Sequence, residues 1–160
     1  MNIEQFTIAM IARTMWRAGW RYGKPWDQAL AELSGHVLRN RVIHALGQVG
    51  WLEVLRDEES SFDQYRRDEI TRAEDPAFLK ILWLAERLYL QQEPDKVGDA
   101  DEIVLGTPCA RSGIQPVLTV QGSSGRSYCF FKGNYILNSL GKGSQVYKTL
   151  FKQGSLPGNS

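Results

Sequence analysis

Apolar and polar positions alternate along the first half of the chain at helical spacing. Over residues 3 to about 20, Ile8, Ile11, Met15 and Ala18 return to one face, and Asn2 supplies an N-cap side chain. Gly23 and Lys24 break the pattern, and Pro25 stands at an acceptable first helical position. A second helix is expected from there to about Leu46, with a stripe of Trp26, Leu30, Leu33 and Val37 that continues, offset, through Val42 and Leu46. Trp51, Leu52, Val54 and Leu55 then predict one or two helical turns, and the dense charge of residues 57 to 72 reads as a solvated loop. The clearest helix opens at Asp75 and Pro76, with Phe78, Ile81, Leu82, Ala85 and Leu88 as its buried face.

The period then changes. "EIVL", "QPVLTV" and "RSYCFF" are short β-prone runs, and "QGSSG" between the last two is a hairpin loop. Helices first and a small antiparallel β-sheet later make an α+β pattern. Beyond Lys132 the chain is rich in glycine and serine, yet Val146, Tyr147, Leu150 and Phe151 share one helical face. Residues 1–132 are therefore read as the main domain. Residues 133–160 are read as a short C-terminal helical extension that docks on a partner chain.

Size and charge narrow the function classes. A chain of 160 residues is one domain with one core. A net charge of +1 gives no strong nucleic-acid signal and no attraction to an anionic membrane. "MNIEQFTIAMIARTMW" has neither a basic n-region nor a long apolar run. The expectation is a protein synthesised in the cytoplasm without a signal peptide or a membrane span. Cys109, Cys129, His36 and His44 form no metal-ligand spacing, so no metal or cofactor is expected, and the cysteines are expected to be free thiols.

Candidate chemistry gathers in "MWRAGWRYGKPW", residues 15 to 26, which holds Trp16, Trp20, Tyr22 and Trp26 beside Arg17, Arg21 and Lys24, and no carboxylate. The tryptophans read first as core anchors and second as a wall for a sugar ring. Arg17 and Arg21 are one helical turn apart, and the missing counter-charge nearby points to an acid from outside the chain. Asn40 falls near a buried stripe, where an amide must be hydrogen-bonded. "GSSG" at 122 to 125 is a turn and not a phosphate loop, because no lysine and helix follow it.

Residues 75 to 104, "DPAFLKILWLAERLYLQQEPDKVGDADEIV", resemble a segment of the SleB-type cell wall hydrolases. Ala85, Arg87 and Leu88 correspond to that family's helix, and Asp95, Gly98 and Ala100 to its D-P-T-x-G-A loop. "IARTMW" at 11 to 16 resembles the opening helix, and "VLRNRV" at 37 to 42 the V-L-N-R-V element. "IQPVLTVQGSSGRSYCFFK" resembles the closing strand, glycine turn and finish, so the likeness spans residues 8 to 132. It implies a lysozyme-like α+β domain that cuts peptidoglycan glycan strands. A carboxylic acid kept protonated in a semi-apolar pocket protonates the leaving oxygen. It also implies that Asn40 and Arg41 brace the loop around the groove.

In that register the family's glutamate position is Ala18, and the second glutamate's is Tyr22. Alanine has no proton to give, and Arg17 and Arg21 are too weakly acidic to replace it. The expectation is a catalytically impaired protein serving as a structural or docking component of a phage or phage-like particle, incorporated into the virion among other protein chains. Trp16, Arg17, Trp20, Arg21, Tyr22 and Asp101 would form its substrate or partner groove. The alternative is an active peptidoglycan hydrolase or lytic transglycosylase whose acid has moved to Glu102 or Glu53. The run Asp57, Glu58, Glu59 is a weaker candidate, since a solvated face accounts for it. A third class, a single-stranded nucleic-acid binder using tryptophan and arginine, is opposed by the near-neutral charge.

Overall fold

The computed structural model describes residues 2–60, 75–106 and 115–133. Among the described residues four helices come first: α1 (Ile3–Ala18), α2 (Gln28–His44), α3 (Trp51–Ser60) and α4 (Pro76–Tyr89). Strands β1 (Glu102–Leu105), β2 (Leu118–Gln121) and β3 (Ser127–Phe131) follow. They form an antiparallel sheet in the order β1-β3-β2, so the last strand is central. The α+β expectation holds. Among the described residues, no helix is long and apolar enough to cross a membrane.

Local chemistry sets the helix ends. Asn2 and Gln5 exchange side-chain and backbone bonds across the first turn of α1, a capping box. Asp75 accepts from Ala77 N, and Pro76 opens α4 as the sequence predicts. The second helix departs from expectation. It begins at Gln28, with Asp27 as the N-cap, and not at Pro25. A carboxylate that accepts Leu30 N satisfies an orphan donor, which proline cannot do. α3 also exceeds its expected one or two turns. It runs through Asp57 and Glu58, so the start of the charged run is helical; residues 61–74 lie outside the described residues.

α2 lies at the centre of the molecule, packed by α1, α3, α4 and β1. Met15 of α1 and Leu88 of α4 meet it at Gly35, where a Cβ would stand 2.7 and 2.6 Å from their side chains. Ten of its residues are buried, including Ser34, His36, Arg39, Asn40 and Arg41. A helix enclosed on several sides shows little amphipathic contrast, which is why its stripe read with an offset. Leu46, placed on that stripe from the sequence, is exposed.

Among the described residues two apolar clusters result. One joins the helices through Ile11, Met15, Trp16, Leu38, Leu55 and Leu88. The other sits between α2 and the sheet, through Leu30, Val37, Val97, Ile103, Tyr128 and Phe130. Cys129 and Phe131, on the sheet's opposite face, are buried as well. Cys129 is disulfide-bonded, which corrects the expectation of two free thiols. Cys109, the chain's other cysteine, lies outside the described residues.

Candidate functional site

Ala18 closes α1, and with Thr14, Arg21, Ser34, Arg41 and Glu58 it lines a cavity of about 10 Å³. That volume admits roughly one water. The acid at this cavity comes from α3. Glu58 Oε2 lies 2.7 Å from Arg41 Nη1, and Glu58 Oε1 lies 3.8 Å from Arg21 Nη1. Burial pushes the Glu58 carboxyl up, but the Arg41 and Arg21 guanidiniums and the Arg41 hydrogen bond outweigh it, leaving its pKa below the ordinary value. Glu58 is therefore an anion at neutral pH.

Trp16 is 6% exposed, its ring 4.5 Å from Trp26 and edge-on to Phe78 at 5.7 Å. Trp26 Nε1 donates to Trp16 O, and its indole lies over Gly19, where a Cβ would stand 2.1 Å from that nitrogen. Trp16, Trp20 and Trp26 all belong to the helical cluster, the core role favoured from the sequence. Arg21 turns to Glu58, so the counter-charge expected from an outside acid comes from within the chain. Tyr22 stacks on Tyr128 at 5.8 Å, away from the Trp16 pair. Arg17 is half-buried at the end of α1.

Asp101 is buried beside the C-terminus of α2. Its Oδ2 lies 3.0 Å from His44 Nδ1 and accepts from Gly133 N. Arg41 Nε donates to Asp101 O, and Asn40 Nδ2 donates to Asp95 Oδ1 and Ala100 O. Asn40 and Arg41 thus tie α2 to the 95–101 loop. Burial pushes the Asp95 carboxyl up, but bonds from Asp99 N, Asn40 and Val97 bring it below its ordinary value.

Neither Glu53 nor Glu102, the two candidate acids read from the sequence, lines the Ala18 cavity. Glu53 is exposed and accepts Gly50 N at 2.7 Å at the start of α3. Glu102 opens β1 in register with Phe131, while its neighbour Ile103 faces the cavity, so strand alternation puts Glu102 on the sheet's other face. The docking residues Val146, Tyr147, Leu150 and Phe151 lie outside the described residues.

A second polar knot forms where the hairpin turn meets α2. Asp27 accepts from Ser123 N, Ser124 N, both serine hydroxyls and Tyr128 OH. Burial pushes its carboxyl up, yet these bonds and Leu30 N hold it well below the carboxylate range. Burial, and then the bond to Asp27, pushes Tyr128 up to about 12. Gly122 permits the approach, since a Cβ there would stand 2.2 Å from Asp27 Oδ2. The turn reading of "GSSG" holds: its amides and hydroxyls serve this carboxylate.

Glu58 and Asp27 are the residues that sequence reasoning undervalued. Asp27 had a usable signal, an N-cap residue directly before an apolar-periodic run. Glu58 had only a weak one, two arginines without local counter-charge. Among the described residues, no group of three histidine, cysteine, aspartate or glutamate side chains could hold a metal ion. No protein-family model matches this chain, nor does any curated protein or solved structure.

Proposed function

We propose that this chain is a non-hydrolytic, cell-wall-hydrolase-like domain acting as a structural or docking component of a phage or phage-like particle. The observation that carries the first half is the Arg21–Glu58–Arg41 cluster beside Ala18. A general acid for glycoside cleavage must hold a proton near neutral pH, and Glu58 is held ionised by two guanidiniums. A glycosidic bond must also fit beside the acid, and about 10 Å³ admits roughly one water. The docking half rests on the spacing of Val146, Tyr147, Leu150 and Phe151.

The test is release of soluble muropeptides from purified peptidoglycan by the full chain, beside Glu58→Gln, Glu102→Gln and Glu53→Gln. No release above a protein-free blank is expected from any of them. Release by the native chain that disappears in one variant overturns the proposal and identifies the acid of an active hydrolase or lytic transglycosylase.

A further inference from the structure

Away from the Ala18 cavity, the first half of α1 and the last half of α4 border a surface groove of about 590 Å³. Its apolar lining is Ile8, Ala9, Leu82 and Leu90, and its charged lining is acidic, Glu4 from one helix and Glu86 from the other. Asn2 and Gln5 line it too, but they are spent on the capping box of α1. Both glutamates are exposed, and no cation among the described residues pairs with either. Among the described residues no aromatic ring lines the groove to stack a sugar or a base, and an anion would meet two carboxylates. The fitting occupant is apolar on one side and positively charged beside it. Residues 133–160 meet both conditions. They hold Lys142, Lys148 and Lys152 and no acidic side chain. Val146, Tyr147, Leu150 and Phe151 share one helical face, the spacing with which an amphipathic segment anchors in an apolar groove.

We infer that in the free chain this groove holds the chain's own residues 146–151, their apolar face against Ile8, Leu82 and Leu90 and their lysines at Glu4 and Glu86. The connection is long enough. Gly133 N bonds Asp101 Oδ2 beside the C-terminus of α2, and the twelve residues 134–145 extend to about 40 Å. A domain of this size has a radius of gyration of about 14 Å, so that length reaches from Gly133 to the groove. Tethering also selects this occupant. A segment on a short linker is present at an effective concentration on the order of millimolar, well above a second copy or another basic segment at micromolar concentration. This occupancy rests on the reading of residues 146–151 as a docking face and names the surface that the face meets first. A partner chain that takes the extension has to displace it from here.

The test is NMR of the full chain with labelled methyl groups. Nuclear Overhauser contacts are expected between the ring of Tyr147 or Phe151 and the methyls of Ile8, Leu82 or Leu90. Glu4→Lys together with Glu86→Lys, both at exposed positions, should remove most of that intensity while the other methyl signals keep their native dispersion. Adding Lys148→Glu and Lys152→Glu to the same chain should restore it, which a merely structural role of the glutamates would not do. The occupancy is overturned if the native chain lacks these contacts, if they survive the first pair of changes, or if they stay lost after the second. A mixture of labelled and unlabelled copies tests the remaining occupant. Contacts seen only between copies would place the extension on a second chain and overturn the occupancy, while leaving residues 146–151 a partner-docking face. Muropeptide release tests the non-hydrolytic reading independently of every one of these outcomes.

Discussion

Glu58 and Arg41 meet at 2.7 Å beside Ala18, one from α3 and the other from the centre of α2. Their side chains are 13% and 8% exposed, and Arg41 also donates from Nε to Asp101 O. One guanidinium therefore ties the charged helix to the loop that leads into the sheet. Removing Glu58 takes a counter-charge from both Arg21 and Arg41 in a poorly solvated place. Glu58→Ala should cost about 2–4 kcal/mol in urea unfolding, somewhat below the cost of breaking a fully buried pair. Glu53→Gln, on the exposed face of the same helix, should change stability by less than about 0.5 kcal/mol. Equal effects from the two would show that the ion cluster contributes little.

The Asp27 knot predicts acid sensitivity. Its folded pKa lies below the ordinary value of 3.8, so its stabilisation is present above that value and lost as pH falls towards the folded one. Stability of the native chain should fall steadily below about pH 4. Asp27→Asn should lower stability at pH 7 by about 1–3 kcal/mol and flatten the acid limb. Tyr128→Phe removes one of the several donors that hold Asp27 low, so it should cost about 1–2 kcal/mol and flatten the limb only in part. Denaturant midpoints measured from pH 7 to pH 2 separate the two patterns.

What the sequence made legible was chemistry that acts locally. Asn2, Asp75 and Pro76 cap helices within a few residues, and the α4 stripe needs only its own period. Phe78, Ile81, Ala85 and Leu88 were read correctly; Leu84, and not Leu82, completes the buried set. The candidate site was not local. Arg41 finds Glu58 across 17 positions and Asp101 across 60, and Asp27 finds Tyr128 across 101. Glu58 stands in a run of charges, so nothing adjacent marks it as buried. The missing counter-charge around Arg21 was a real signal, but its partner lay elsewhere in the chain. Only Asn40 carried its constraint on its face, because an amide on a buried stripe must find partners.

Asn40 yields a prediction specific to the loop. Its amide nitrogen serves both Asp95 and Ala100 O, so truncation releases the loop at two points. Asn40→Ala should cost about 1–3 kcal/mol. It should also speed hydrogen exchange at Asp99 N, which bonds Asp95 Oδ2, while the amides of α4 gain only the exchange that the global loss explains. Uniform acceleration across the molecule would make Asn40 a general core residue and not a loop brace.

Placing a glutamate at position 18, where the resemblance to the SleB-type hydrolases would put one, tests the proposed loss of function directly. Ala18 is 4% exposed and borders about 10 Å³, far less than a glutamate side chain occupies. The new carboxylate would also stand near Glu58, whose negative charge is already matched by Arg21 and Arg41. Overpacking and like charge act in the same direction, so Ala18→Glu should destabilise the chain by about 2–4 kcal/mol. Glu58→Gln alone should also destabilise, since it leaves the guanidiniums short of an anion. Combined with Ala18→Glu it should recover part of the loss, because the new carboxylate can take the place of the old one beside the arginines. A double-mutant cycle in urea unfolding reads this as a favourable coupling of about 1 kcal/mol or more. Neither variant should release muropeptides, because a carboxylate between two guanidiniums stays ionised. Muropeptide release by Ala18→Glu would instead overturn the prediction and show that a carboxylate at position 18 can act as an acid on a glycan strand.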